Sequence, residues 1–209
     1  FAYNTTVPDL VSTLGYRNTI DPLHIYMGNP LLRNSHSHTT TYNYHRMWLR
    51  KQIVLGFTAS YNKDINPEAT LYSYNSATGV YTSKPMNVKG GDMWKFALNY
   101  DQGIGFYFRL MNKFALETAK SYGFLTIVDN NAADAQPELN KQKRLGINND
   151  FEFSYETEKL QLTLFDRLES NRYRYDDASY NTTPLFNSVG ISANLHLAPF
   201  EVFVQLSDD

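Results

Sequence analysis

His36 and His38 have the spacing of a metal pair, because residues two apart in an extended strand point to one face and two imidazoles there could share zinc, nickel or copper. No third ligand stands beside them, and His24 and His45 have no fixed place, so ordinary polar histidines at a loop-to-strand junction are the expectation. Arg172-Tyr173-Arg174-Tyr175 alternates a bidentate donor with a flat stacking ring, which could grip a sugar or an anionic chelate. An aromatic and charged strand end is the plainer account. Tyr72, Tyr74 and Tyr81 carry the same ambiguity, since exposed tyrosines are adaptable contact residues. Arg109, Lys113, Glu117, Arg144, Asp150 and Glu152 could serve docking or ligand passage, with a solvated polar face as the simpler expectation. Glu156 and Glu158 share a face but fall in an expected turn. No Gly-x-Ser-x-Gly elbow, His-Glu-x-x-His helix, phosphate loop or calcium loop occurs, and no enzyme is expected.

The elements that would position these residues are strands. Ile53, Leu55, Phe57, Ala59 and Tyr61 fall on one face, opposed by Gln52, Gly56, Thr58, Ser60 and Asn62. Trp94, Phe96, Leu98 and Tyr100 repeat the pattern, as do Ile104 to Leu116, Leu145 to Tyr155 and Val189 to Leu197, with Val202, Val204 and Leu206 after Pro199. A helix would scatter these apolar residues around its circumference, whereas a strand gathers them. About eight strands of roughly ten residues are expected, against about five or six residues for ordinary globular strands.

Connection lengths alternate. Short turns are expected at Leu49-Arg50-Lys51, Gln102-Gly103, Glu156-Thr157-Glu158 and Ala198-Pro199, and long polar loops at 64–92, 118–142 and 171–185. Strands of about nine to eleven residues joined in this way are the pattern of a transmembrane β-barrel. The fold expected is therefore all-β: an antiparallel up-and-down meander of about eight long strands forming part of such a barrel. Trp48, Tyr61, Trp94, Tyr100, Tyr155 and Phe200 lie near strand ends, where they would sit at headgroup level.

The 209 residues form one expected unit, with residues 1–37 a loop and strand stub and residues 38–209 the strands. Net charge is -2, with no basic stripe, so a nucleic-acid partner is not expected. The absence of cysteine excludes disulfides, thiolate metal sites and cysteine catalysis, and no cofactor is expected. Tyrosine and phenylalanine are abundant, at 16 and 13 residues, which suits a wall whose alternate residues meet lipid. β-Proteins in general also favour aromatics.

Val7-Pro8-Asp9-Leu10, and Asp21-Pro22-Leu23 running through Gly28-Asn29-Pro30-Leu31-Leu32 directly before a strand, resemble the Bacteroidetes outer-membrane β-barrel family related to TonB-dependent receptors. Gly28 is expected to take a positive φ there and Pro30 to hold Asn29 extended. Arg33-Asn34 follow where the family often has Lys-Pro-Glu. The resemblance implies a segment of a larger barrel in the outer membrane of a Gram-negative bacterium, which binds and imports a ligand when whole. It also implies partners: outer-membrane lipid, the remaining strands and plug, the TonB complex and a surface lipoprotein. Both chain ends are expected on the long-loop side, and Phe1-Ala2-Tyr3-Asn4 reads as the tail of an earlier strand. The rival is a soluble surface β-domain, binding glycans or acting as an adhesin, whose apolar faces meet as a core.

Overall fold

Period-two alternation carried by β-branched and aromatic side chains produces long strands here, because such side chains pack well on a pleated surface. The computed structural model describes residues 1–129, 138–197 and 200–208. In chain order the strands are β1 (Ala2–Thr6), β2 (Arg17–Asn18), β3 (His24–Met27), β4 (Ser35–Trp48), β5 (Ile53–Ile65), β6 (Glu68–Asn75) and β7 (Val80–Asn87). They continue with β8 (Asp92–Ile104), β9 (Phe108–Phe124), β10 (Ile127–Asp129), β11 (Leu139–Glu156), β12 (Leu160–Tyr175), β13 (Leu185–Leu197) and β14 (Phe200–Asp208). One helical turn, α1 (Leu10–Thr13), is capped by the Asp9 side chain, which accepts from the Val11 amide.

Nine strands form one antiparallel sheet in the order β1-β4-β5-β8-β9-β11-β12-β13-β14, the expected meander with β1 added. Phe1-Ala2-Tyr3-Asn4 does enter a strand: Ala2 pairs with Thr39 and Thr6 with Ser35. β1 and β14 are the two edges and do not pair with each other, so the sheet is open.

The connections correct the expected loops in four places. Residues 64–92 are not a structureless loop: β6 and β7 form a hairpin through a turn in which Gly79 has φ +71°, and they belong to a second sheet ordered β10-β6-β7-β3-β2. Residues 1–37 supply two strands of that sheet, so they are more than a loop and stub. β9 and β11 run far into the expected loop 118–142, and β12 continues to Tyr175, leaving 176–184 as the link. The turn after β8 is Gly105-Phe106-Tyr107, later than Gln102-Gly103, because Gly105 tolerates the φ of +67° that reverses the chain. The expected turn at Ala198-Pro199 and residues 130–137 lie outside the described residues.

Gly28 also differs from expectation. It is absent from the residues with positive φ, and a Cβ there would lie 1.9 Å from the Leu14 carbonyl oxygen, so glycine is required by close approach. Asn29 beside it is buried, its amide donating to Ser12 O at 2.6 Å and its side chain to Pro85 O at 2.9 Å. Gly28-Asn29 therefore buckles α1 to β7. Asn87 ties the next residues down, donating to Arg33 O and Asn66 O while accepting from the Arg33 amide.

The large sheet has two chemically distinct faces. One carries Leu55, Phe57, Leu98, Phe114, Ile147 and Leu164 and is uncovered: Leu98, Leu164 and Ile191 are 38%, 45% and 55% exposed. The other is polar and ion-paired. Among the described residues the buried hydrophobic side chains are Ile25, Val88 and Phe165, so no second layer packs on the apolar face. That face has polar intrusions: Asn112 donates to Asn149 at 3.0 Å, and Asp166 has a buried Oδ1 without a hydrogen-bond partner. Phe165 is the reverse case. It lies on the polar face over Gly190, where a Cβ would meet the Phe165 ring at 2.5 Å and the Leu206 carbonyl at 2.4 Å.

Gly190→Ala is expected to cost about 1–3 kcal/mol through overpacking, read as a lower midpoint of denaturant unfolding, and adding Phe165→Leu should return part of it. An unchanged midpoint for Gly190→Ala would show that Phe165 does not sit on β13.

Candidate functional site

The second sheet assembles the tyrosines singled out in the sequence. Residues two apart share a face, so Tyr72 and Tyr74 on β6 lie together, and Tyr74 stands opposite Tyr81 on β7. β3 then adds His24 beside Tyr81 and Tyr26 beside Ser83 in parallel register. Five aromatic side chains thus occupy one face across three strands.

Their contacts are specific. The Tyr74 and Tyr81 rings are 4.5 Å apart between centroids, and the His24 ring stacks on Tyr81 at 5.8 Å with an interplanar angle of 8°. Tyr26 donates its hydroxyl to Ser12 Oγ at 2.8 Å, which fixes the ring against the α1 segment. His24, Tyr26, Tyr72, Tyr81 and Ser83 line a groove of about 440 Å³ that opens to solvent. Ring faces and hydroxyls dominate this groove, and the charge beside it is the Asp21 carboxylate. That combination suits a ligand with flat apolar faces edged by hydroxyls, such as a sugar ring, better than an anion.

Asp21 sets the position of His24. Its carboxylate accepts from the Leu23 amide at 2.9 Å and from His24 Nδ1 at 2.8 Å. The Leu23 amide, and then the His24 side chain, hold the Asp21 carboxyl below its ordinary pKa. His24 was considered in the sequence only as a metal ligand; the signal for its present role was His24-x-Tyr26, the same two-residue spacing as Tyr72-x-Tyr74.

The other sequence candidates divide. Arg172 and Arg174 lie on the apolar side of β12, whereas Tyr173 and Tyr175 point to the polar side, where the Tyr175 hydroxyl accepts from Gln142 Nε2 at 3.1 Å. Adjacent residues of a strand point to opposite faces, so the arginines and tyrosines do not form a joint grip. His36 and His38 do share a face, but they are taken up by aromatic packing with β1. Tyr3 stacks on His36 at 5.6 Å, and the Tyr3 hydroxyl and Thr5 Oγ1 lie 2.8 and 3.0 Å from His36 Nδ1. His45 is on the opposite face of β4, and among the described residues no group of three metal-ligating side chains occurs.

The charges of the polar face pair among themselves. Arg109 donates to both Asp101 oxygens at 2.8 and 2.5 Å, Arg144 donates to Glu117, and Arg167 lies 3.4 Å from Asp150 and 3.7 Å from Glu152. Lys113 stands opposite Asp150 across β9 and β11. These residues build a charge-balanced hydrated surface.

Because Asp21 has a depressed pKa in the fold, it supports the His24 turn at and above the ordinary carboxylate range and loses that support as pH falls through the depressed value. The Leu23 amide resonance should therefore shift with a midpoint below the ordinary aspartate value, and Asp21→Asn should abolish the transition; a midpoint at or above the ordinary aspartate value would refute the hydrogen-bonded turn. No family model, curated protein or solved structure matches this chain.

Proposed function

We propose that the nine-stranded sheet is wall from a transmembrane β-barrel in the outer membrane of a Gram-negative bacterium, resembling TonB-dependent receptors and importing a ligand when whole. The second sheet provides an outer ligand contact through Tyr72, Tyr81 and His24. The observation that carries this reading is the uncovered apolar face of β4 to β14 and its height.

Trp48 stands opposite Ile53 and Trp94 opposite Tyr61, so the two tryptophans bracket eight residue steps of β5 on that face. At roughly 3.3 Å per residue this is about 26 Å along the strand, or about 20 Å across a membrane for a tilt near 40°. An outer-membrane apolar band is about 25 Å tall and edged by aromatic residues. Trp48, Phe108 and Tyr155 lie toward the short turns, with Phe108 and Tyr155 rings 5.2 Å apart; Tyr61 and Trp94 lie toward the second sheet, 4.4 Å apart. In water an uncovered face of this size would drive association. In lipid it needs no cover.

The polar face, with its internal ion pairs, suits a hydrated lumen. Two free sheet edges are costly within a bilayer, so further strands or another chain must pair with β1 and β14. On this reading the partners are outer-membrane lipid, those closing strands, a plug, the TonB complex and a surface lipoprotein. The soluble glycan-binding or adhesin reading would need the apolar face to meet another apolar layer, and among the described residues there is none.

Quenching of tryptophan by brominated phospholipid tests the wall directly, since both tryptophans of the chain lie on the apolar face. Strong quenching is expected, and full fluorescence in vesicles that bind the protein would remove the wall reading. Leu98→Arg at mid-face should cost about 2–4 kcal/mol in lipid, whereas Asn99→Arg on the polar face should cost far less. Equal costs would count against a lipid-facing side. Tyr81→Ala should weaken binding of a neutral oligosaccharide by about tenfold, as expected for loss of one stacked ring, and unchanged binding would remove the groove from the reading.

A further inference from the structure

Above the apolar band the same outward face becomes basic. Lys120 on β9, Lys143 on β11 and Arg174 on β12 stand directly opposite one another in a single cross-strand row. Opposite residues on neighbouring strands are about 4.5–5.5 Å apart at Cα, so three like charges share about 10 Å of rim. Arg172 lies one step below, beside Leu145, and Lys141 one step above, beside Tyr122.

Like charges placed directly opposite are unfavourable. The polar face of these strands avoids the arrangement: Lys113, Asp150 and Arg167 form a row of alternating sign across β9, β11 and β12. On the outward row Asp92 is the acid, standing between Lys63 on β5 and Lys120 on β9. Among the described residues no ion pair within 4 Å reaches Lys120, Lys143, Arg172 or Arg174. Tyr122 anchors the row from above, with the Lys120 and Lys89 ammonium groups 5.3 and 5.7 Å from its ring centre.

We infer that Lys120, Lys143 and Arg174, flanked by Arg172 and Lys141, hold the phosphate groups of an anionic lipid against the outer rim of the wall. The inference rests on the wall reading above. Two observations select a lipid as occupant. The row continues the apolar face, so an acyl chain lying on Leu145 and Ile147 would place its headgroup among these cations. The row also lies two residues beyond Trp94 and Thr118, the next position on the same face, at the aromatic level where headgroups begin. Charge complementarity requires the headgroup to be anionic, and the arginine forks suit phosphate oxygens.

The test compares binding of the purified protein to phosphatidylcholine vesicles with and without phosphatidylglycerol, a fraction of the phosphatidylcholine being brominated so that tryptophan quenching is read on the same samples. Phosphatidylglycerol should tighten binding in a salt-sensitive way. Lys143→Gln with Arg174→Gln should lose roughly 25-fold of affinity on the anionic vesicles and little on the neutral ones. Lys113→Gln, from the charge-balanced row, should change neither. These substitutions relieve repulsion, so folding is expected to persist, and quenching on neutral vesicles reports it. Quenching without preference for phosphatidylglycerol overturns the headgroup site and leaves the wall standing. Anionic preference without quenching overturns both. Reversal by millimolar inorganic phosphate at constant ionic strength, or stronger binding to soluble heparin than to the anionic vesicles, overturns the lipid in favour of a free anion or an acidic polymer.

Discussion

Everything in this molecule hangs on one unbroken hydrogen-bond ladder. From β4 to β14 each strand pairs with the next in a constant register, with no bulge interrupting any pairing. Side chains alternate along each strand, so the ladder decides which face every residue meets, and a slip of one residue would exchange the faces. The ion pairs of the polar face reinforce the register from one side. Arg109 reaches Asp101, Arg144 reaches Glu117 and Arg167 reaches Asp150 only in the observed alignment. Gly105 and Gln52, both at positive φ in the short turns, set the alignment from the ends.

Segregation of the faces then determines the chemistry available to the chain. The large sheet presents an uncovered apolar face on one side and paired charges on the other. The second sheet depends on the first for its position: Gly90 and Gly91 pass so near Asp64 and Lys120 that a Cβ would approach their carbonyl oxygens to 1.8 and 2.0 Å. Asn29 and Asn87 then hold β3 and β7 together with the segment that precedes β4. The tyrosine and histidine groove thus rests on β7, which the buried Asn29 ties to α1, and on β3 and β6, which pair with β7 on either side. A sugar-sized ligand would meet preformed stacking faces there, which lowers the entropy lost on binding.

The period-two alternation made most of the large antiparallel sheet legible in the residues alone. Leu145, Ile147, Phe151, Phe153 and Tyr155 do share a face, whereas the expected long loop at 64–92 is the β6–β7 hairpin and strands run far into 118–142. Expectation departed from the structure wherever the residues lack that alternation or where spacing alone was ambiguous. Gln102-Gly103 looked like a turn, yet Gly105 carries the positive φ. Asp166 and Asn149 interrupt the apolar face without breaking their strands, because the ladder is made by backbone groups and tolerates an occasional polar side chain.

The residues by themselves determined strand character, strand length and the face of each side chain within its strand, since these follow from local sterics and a two-residue repeat. Only the tertiary structure decided which strands are neighbours. The groove needed β3 to pair in parallel with β7, joining His24 to Tyr81 from 57 positions away, and the basic row needed the registers of β9, β11 and β12 to bring Lys120, Lys143 and Arg174 level. Such long-range alignments come from the summed hydrogen bonds and face matching of whole strands, and no short stretch of sequence contains them. For the same reason Arg172 and Arg174 parted from Tyr173 and Tyr175: adjacent in the chain, they are divided by the sheet.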